Sequence, residues 1–233
     1  MASYDLTNFD GVLAFGESIR QRYMENGWAR RVWTWHEAAD TTVFFPRPMP
    51  SGREPQYDVV WIGNWGDDER AAELNEFLLG PVKELGLRAC VCGVRYPASA
   101  LDALRAAGVE YRGWVPNYRV PELFADAYFT IHVPRGPYAR ALPGIPTIRV
   151  FEALACGIPL ISAPWRDCEH LFRPGTDFVF ASDGAEMKRR MSAMLDVRAD
   201  AARQAQNGLC TIQRRHTCRH RARELETICE ELM

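Results

Sequence analysis

Residues 142–165 read LPGIPTIRVFEALACGIPLISAPW, and this stretch decides the fold. Pro143, Gly144 and Pro146 exclude regular structure just before Thr147, a residue suited to capping a helix. Val150, Phe151, Leu154 and Ala155 follow at helical spacing and give the helix one apolar face. Gly157 supplies the left-handed residue that ends such a helix, and Pro159 follows closely. Ile158, Leu160 and Ile161 form a short apolar run of the kind found in strands covered on both faces. The stretch predicts a loop, a helix, a tight turn and a buried strand.

The start of that helix is suited to an anion. The first N–H groups of a helix have no internal partner, and the helix dipole favours negative charge there. A diphosphate fits over Thr147, Ile148 and Arg149, with Glu152 one turn further in to accept hydrogen bonds from ribose hydroxyls. The same spacing also suits an ordinary solvated Arg149–Glu152 pair on a helix surface.

Working outward, the sequence downstream of Tyr57 alternates strands and helices. The expected strands are 58–62, 87–92, 109–111, 128–133 and the key strand near Leu160. The expected helices run from Asp67 and Asp68 to about Leu85, from a cap at Ser99 to Ala107, from Val120 to Asp126, and from Asp183 to about Leu195. Such alternation with short turns implies a parallel sheet with right-handed crossovers. Ligands of these sheets lie at the carboxyl ends of the strands. The residues falling there are Gly63 and Asn64, Gly93 and Arg95, Trp114 to Asn117 with Val115 among them, Pro134 and Arg135, and Gly144 to Arg149. Glycines let backbone approach phosphate closely, and Arg95 offers it a charged fork.

Upstream, 11–15 and 31–35 read as strands around a helix from Glu17 to Glu25. This unit is too small to bury both its faces alone. Residues 36–50, with Pro46, Pro48 and Pro50, read as an extended connection between two domains. Residues 201–233 are helical in pattern and are expected to pack back across both parts.

Composition bounds the function. The chain has 233 residues, 47% hydrophobic and 25% charged, which are ordinary globular values, and the alternation above makes the fold class α/β. A net charge of −2 argues against a general nucleic-acid binder. Seven cysteines without framework spacing suggest a reducing compartment, the cytoplasm. The start, MASYDLTNFDGV, lacks the charged and apolar segments of a signal peptide, and no apolar run is long enough to span a membrane. His216 and His220, four apart on an expected helix, invite a metal reading, but no acidic third ligand stands beside them, and no metal site is assigned. Seven arginines between Arg198 and Arg223 are read first as a solvated or domain-docking face and only second as an RNA-binding tail. Cys90, Cys92 and Cys156 are read as core.

RVFEALACGIPLIS, residues 149–162, resembles the nucleotide-sugar site of group 1 glycosyltransferases of the two-domain GT-B fold, most closely the CgeB-like, spore-maturation type. In that family two glutamates eight positions apart flank the loop, and the second contacts the ribose. Glu152 matches the second, while the first position is Gly144 here, which implies an altered donor site. Asp40, Phe44 or Phe45, and Pro46 resemble the interdomain stretch, and Asp167, Glu169, Leu171, Phe172 and 175–178 resemble the helix and turn beyond the site. The resemblance implies that 1–50 are a remnant of an N-terminal Rossmann-like domain plus linker, and that 51–233 form the C-terminal nucleotide-sugar-binding domain. It implies a shortened chain whose acceptor site and usual catalytic residue lie in missing material, which a partner chain would supply. The first two loops would touch the nucleotide-sugar, Val115 to Phe124 would shape the base pocket, and Arg95 and Arg149 would stabilise the departing diphosphate. The implied activity is transfer of a sugar from a nucleotide-diphosphate donor to an unknown acceptor hydroxyl, with no further cofactor. A non-catalytic nucleotide-sugar-binding or partner-binding module is the alternative.

Overall fold

The computed structural model describes residues 5–49, 52–66 and 70–233. A small unit comes first. Strand β1 (Val12–Ala14), helix α1 (Glu17–Glu25) and strand β2 (Val32–Thr34) form a two-stranded parallel sheet around Ala14, Ala29 and Val32. The extended connection follows, of which Pro50 lies outside the described residues.

The main sheet begins at β3 (Tyr57–Ile62). The expected helix start at Asp67 and Asp68 also lies outside the described residues. From Ala71 the chain is helical to Leu85, but as three pieces: α2 (Ala71–Leu74), a π-turn (Asn75–Leu79) and α3 (Gly80–Leu85). Pro81 has no N–H for the i→i−4 bond and its ring crowds the preceding turn, so a widened turn ahead of it replaces the single regular helix expected. Strand β4 (Ala89–Cys92) leads to α4 (Ala98–Ala106). Pro97, not Ser99, is the cap of α4, and its carbonyl accepts from Ala100 and Leu101. Proline pre-sets the extended entry, which leaves Ser99 inside the first turn.

Strand β5 (Val109–Tyr111), a 3-10 turn (Asn117–Arg119), α5 (Val120–Ala125) and β6 (Ala127–His132) come next. A short α6 (Gly136–Arg140) follows where only a loop was expected. The key stretch then gives α7 (Ile148–Ala155) and β7 (Leu160–Ser162), with Gly157 at φ +64° closing the helix. A two-residue strand, β8 (Val179–Phe180), was not foreseen.

No helix forms over 164–178. The Asp167 carboxylate accepts from its own downstream amides, Leu171 at 3.0 Å and Phe172 at 2.8 Å, and so competes with helical bonding. Helix α8 (Gly184–Asp196) is capped by Asp183, which accepts from the Glu186 amide at 2.7 Å. The tail is two helices, α9 (Arg198–Arg215) and α10 (Cys218–Glu230).

The six strands of the main sheet are all parallel, in the order β5-β4-β3-β6-β7-β8. Their order reverses between β3 and β6, the switch point at which doubly wound sheets hold ligands. Alternate residues serve two cores. Val60, Ile62, Cys90 and Leu160 face α5, α7 and α9, while Val59, Trp61, Val91, Phe129 and Ile161 face α2–α4 and α8. Cys90, Cys92 and Cys156 are buried as expected.

The tail closes the two parts together. Trp33 Nε1 donates to Glu231 Oε2 at 2.9 Å, Trp35 Nε1 donates to the Arg221 carbonyl at 2.9 Å, and Ala39 pairs with Thr217. Arg221, one of the tail arginines, is buried and paired with Glu224, so part of this basic face docks rather than solvates. Among the described residues no helix is long and apolar enough to cross a membrane.

Candidate nucleotide-diphosphate site

Helix α7 begins where the sequence placed it. Thr147 occupies the cap position with extended backbone, but its side chain makes no capping bond. Its carbonyl accepts from Val150 at 3.0 Å, while the Ile148 and Arg149 amides have no partner among the described residues. Ile148 packs on the core beneath, so these unpaired donors sit on a rigid base.

One turn along α7 is Glu152, only 3% exposed. It is no solvated surface pair. Oε1 accepts from Asn117 Nδ2 at 3.0 Å, and Oε2 accepts from Arg149 Nη1. The same Arg149 nitrogen donates to Asn117 Oδ1 at 2.7 Å, closing a three-membered network. Burial pushes the Glu152 carboxyl upward, against the lowering effect of Arg149 and Asn117. Val115, two residues before Asn117, packs on the same core.

The loops after β3 and β4 are locked together. Asn64 Oδ1 accepts from the Val94 amide at 3.1 Å, Tyr96 Oη donates to the Gly63 carbonyl at 2.8 Å, and Tyr111 Oη donates to the Gly93 carbonyl at 2.9 Å. A Cβ at Gly93 would lie 1.9 Å from the Gly63 carbonyl oxygen, so only glycine permits this approach. Arg95 is exposed, holds a left-handed backbone at φ 60°, and makes no ion pair among the described residues. It stands on the β4 loop, and among the described residues no hydrogen bond or ion pair joins it to Arg149, Asn117 and Glu152.

Gly144, at φ +89°, lies on the flank formed by the loop before α7. Its amide donates to the Arg166 carbonyl at 2.8 Å, and a Cβ there would meet Glu169 Oε1 at 2.7 Å. Facing this flank are the carboxyl ends of β1 and β2. Glu169 Oε1 accepts the Glu17 amide at 2.9 Å, and Oε2 lies 3.0 Å from His36 Nε2.

Three groups at the sheet edges were not singled out from the sequence as candidate site residues. Glu37 follows β2, and its Oε2 is buried without a partner among the described residues. Burial, reinforced by the charge on Glu152, pushes its carboxyl up to about 7. Glu169 stands in sequence within a family-like turn, and its carboxylate reaches the Glu17 amide and His36. His132, at the end of β6, is wholly buried against Ser162 Oγ at 2.9 Å, and burial lowers its imidazole to about 3, with help from Arg70. A His-Glu pair directly after a short strand, as at 36–37, was the one available signal for Glu37.

The tail histidines do not share a helix. His216 ends α9, donates through Nε2 to the Leu171 carbonyl at 2.7 Å, and accepts from Arg221 at Nδ1. His220 belongs to α10 and completes a capping box with Thr217.

These surroundings combine open helix amides, a buried carboxylate fixed by Asn117 and Arg149, and close backbone turns, which suits an anion flanked by hydroxyls. No curated protein compared with the chain gives a significant match. Among solved structures, sucrose-phosphate synthase from Thermosynechococcus elongatus superposes with a TM-score of 0.71 at 15% identity, covering 97% of this chain and 59% of that one. The HepE protein of Anabaena in complex with UDP-glucose gives 0.72 at 14% identity, covering 96% and 65%. A glycosyltransferase from Rickettsia africae gives 0.72 at 10% identity, covering 95% and 63%. At such identities the likeness is one of fold, and the chain spans about three-fifths of the length of these structures. Residues 70–227 match the glycosyl transferase-like family. The chain belongs to that family, and its fold is that of a GT-B glycosyltransferase domain.

Proposed function

We propose that the chain is the donor-binding part of a CgeB-like glycosyltransferase, which takes a nucleotide-diphosphate sugar and passes the sugar to an acceptor hydroxyl in the cytoplasm. The observation that carries this reading is the start of α7, where open amides at Ile148 and Arg149 precede the buried Glu152 held by Asn117 and Arg149. The diphosphate lies against the helix start, where dipole and amides favour it, and ribose hydroxyls reach Glu152. Arg149, at the start of α7, and Arg95, on the β4 loop, supply positive charge as the diphosphate departs. The loops at Gly63–Asn64 and Gly93 bring backbone close to the donor, and the Val115–Asn117 segment borders the base. A UDP-glucose complex is known for the HepE neighbour, which supports this donor class. Seven free cysteines suit a reducing compartment. Residues 1–50 are assigned to an N-terminal Rossmann-like part with its linker and 51–233 to the donor domain, and the acceptor is bound outside the donor domain, with a partner chain as one source of that site. No cofactor beyond the donor is required.

Gly144 favours a second reading. A site without the first glutamate of the resembling family suits a nucleotide-sugar-binding module that performs no transfer. Calorimetric titration with nucleoside diphosphates and their sugars, followed by an assay for donor turnover with candidate acceptors, separates the two. Saturable binding with turnover supports the enzyme, binding without turnover supports the module, and no binding by the folded chain removes both.

A further inference from the structure

We propose that Glu169 is a donor-binding residue that reads the sugar end of the nucleotide-diphosphate sugar, its carboxylate filling the space a side chain at position 144 would occupy. This rests on the donor-binding reading and extends it to the group that is transferred. A nucleotide-diphosphate sugar is a linear ligand. With ribose at Glu152 and the diphosphate at the start of α7, the sugar continues away from Glu152, along the loop that carries Gly144.

That loop ends against Glu169. A Cβ at Gly144 would lie 2.7 Å from Glu169 Oε1 and 2.8 Å from Cys168 Sγ, so glycine here leaves room for a carboxylate arriving from another loop. The β1–α1 turn converges on the same place, since a Cβ at Gly16 would meet Ile145 at 2.5 Å and Glu169 Oε1 at 3.5 Å. Glu169 is held from both sides, by the Glu17 amide at 2.9 Å on Oε1 and by His36 Nε2 at 3.0 Å on Oε2. A carboxylate offers about four acceptor positions, so these two bonds orient it and leave acceptors for a ligand. Next in sequence to those two partners, Ser18 Oγ and Glu37 Oε2 are buried without hydrogen-bond partners among the described residues. A fixed carboxylate with spare acceptors matches the hydroxyls of a sugar.

The test titrates the full chain with UDP, GDP and ADP and with the corresponding nucleotide-linked sugars. Glu169→Gln should weaken the sugar nucleotide about tenfold while leaving the plain diphosphate within about twofold, because only the sugar hydroxyls lose a charged acceptor. Gly144→Ala, which pushes the carboxylate aside without removing it, should reproduce the selective loss and decides the matter if Glu169→Gln fails to fold. Equal loss for both ligand classes, or no loss, overturns the assignment while donor binding stands: Glu169 then only ties the two parts of the chain. Failure of the wild-type chain to bind any member of the panel removes the donor-binding reading, and this inference with it.

Discussion

Asn117 Nδ2 lies 3.0 Å from Glu152 Oε1, and this bond ties the turn before α5 to the first turns of α7. It makes the acid at the candidate site a fixed object. A buried carboxylate deprived of a donor carries its full desolvation cost, so Asn117→Ala should destabilise the fold by about 1–3 kcal/mol. Denaturant titration measures this directly. Unchanged stability would show that water replaces the Asn117 amide freely.

Glu152→Ala should weaken nucleotide diphosphate binding by about tenfold or more, since it removes charged hydrogen bonds. Glu152→Gln keeps an acceptor for Asn117 and should retain stability better than it retains affinity. Calorimetry on both variants separates scaffold from ligand contact. Equal affinity for wild type and Glu152→Ala takes Glu152 out of the binding site.

Glu37 and the buried histidines pull stability in opposite directions with pH. The Glu37 carboxyl is raised from 4.5 to about 7 in the folded chain, so the folded state holds a proton that the unfolded state has released. Its contribution is present below about pH 4.5 and is lost as pH rises through 7. Glu37→Gln mimics the protonated form and should raise the melting temperature at pH 8 while changing it little at pH 4.5. A rise of equal size at both pH values would mean that Glu37 ionises freely in the folded chain.

His216 shows the reverse. Burial lowers its imidazole from 6.5 to about 4, and the Arg221 contact to Nδ1 also favours the neutral ring. Its contribution is present above pH 6.5 and is lost as pH falls through 4. One pKa unit corresponds to about 1.4 kcal/mol, so His216 accounts for at most about 3–4 kcal/mol of acid sensitivity. His216→Gln should flatten the loss of stability between pH 6.5 and pH 4, read from denaturant midpoints across that range.

The order of strands and helices was legible because periodicity and glycine or proline punctuation are local properties. Leu142–Trp165 shows this well, since each of its elements is fixed by residues inside it. Elements fixed by distant partners were not legible. Val179–Phe180 is a strand only because Ile161 and Ser162 lie beside it. The break at His216–Thr217 depends on pairing with Ala39 far upstream, although Thr217 followed by His220 was a local capping signal. The candidate site divides in the same way. Arg149 and Glu152 are one turn apart on one helix and could be read together, whereas Glu169 and the Glu17 amide are 152 positions apart. Nothing in the sequence joins that pair until both sheets present their carboxyl ends to each other.

Gly93 and Gly86 make a final contrast between two reasons for glycine. Gly86 ends α3 at φ +64° with nothing within 4 Å of an added Cβ, so Gly86→Ala meets only backbone strain, about 1 kcal/mol. At Gly93 the added Cβ would lie 1.9 Å from the Gly63 carbonyl oxygen, and that atom is backbone that cannot swing away. Gly93→Ala must therefore part the loops after β3 and β4, breaking the Tyr96 bond to Gly63 and the Val94 bond to Asn64. It should cost about 3 kcal/mol or more, within the range of overpacked and strained sites. Because those loops border the proposed donor, affinity should fall alongside stability in Gly93→Ala and stay level in Gly86→Ala. Denaturation and calorimetry on the two variants check both statements, and a Gly93→Ala protein as stable as Gly86→Ala would mean that the loops are not held at this distance.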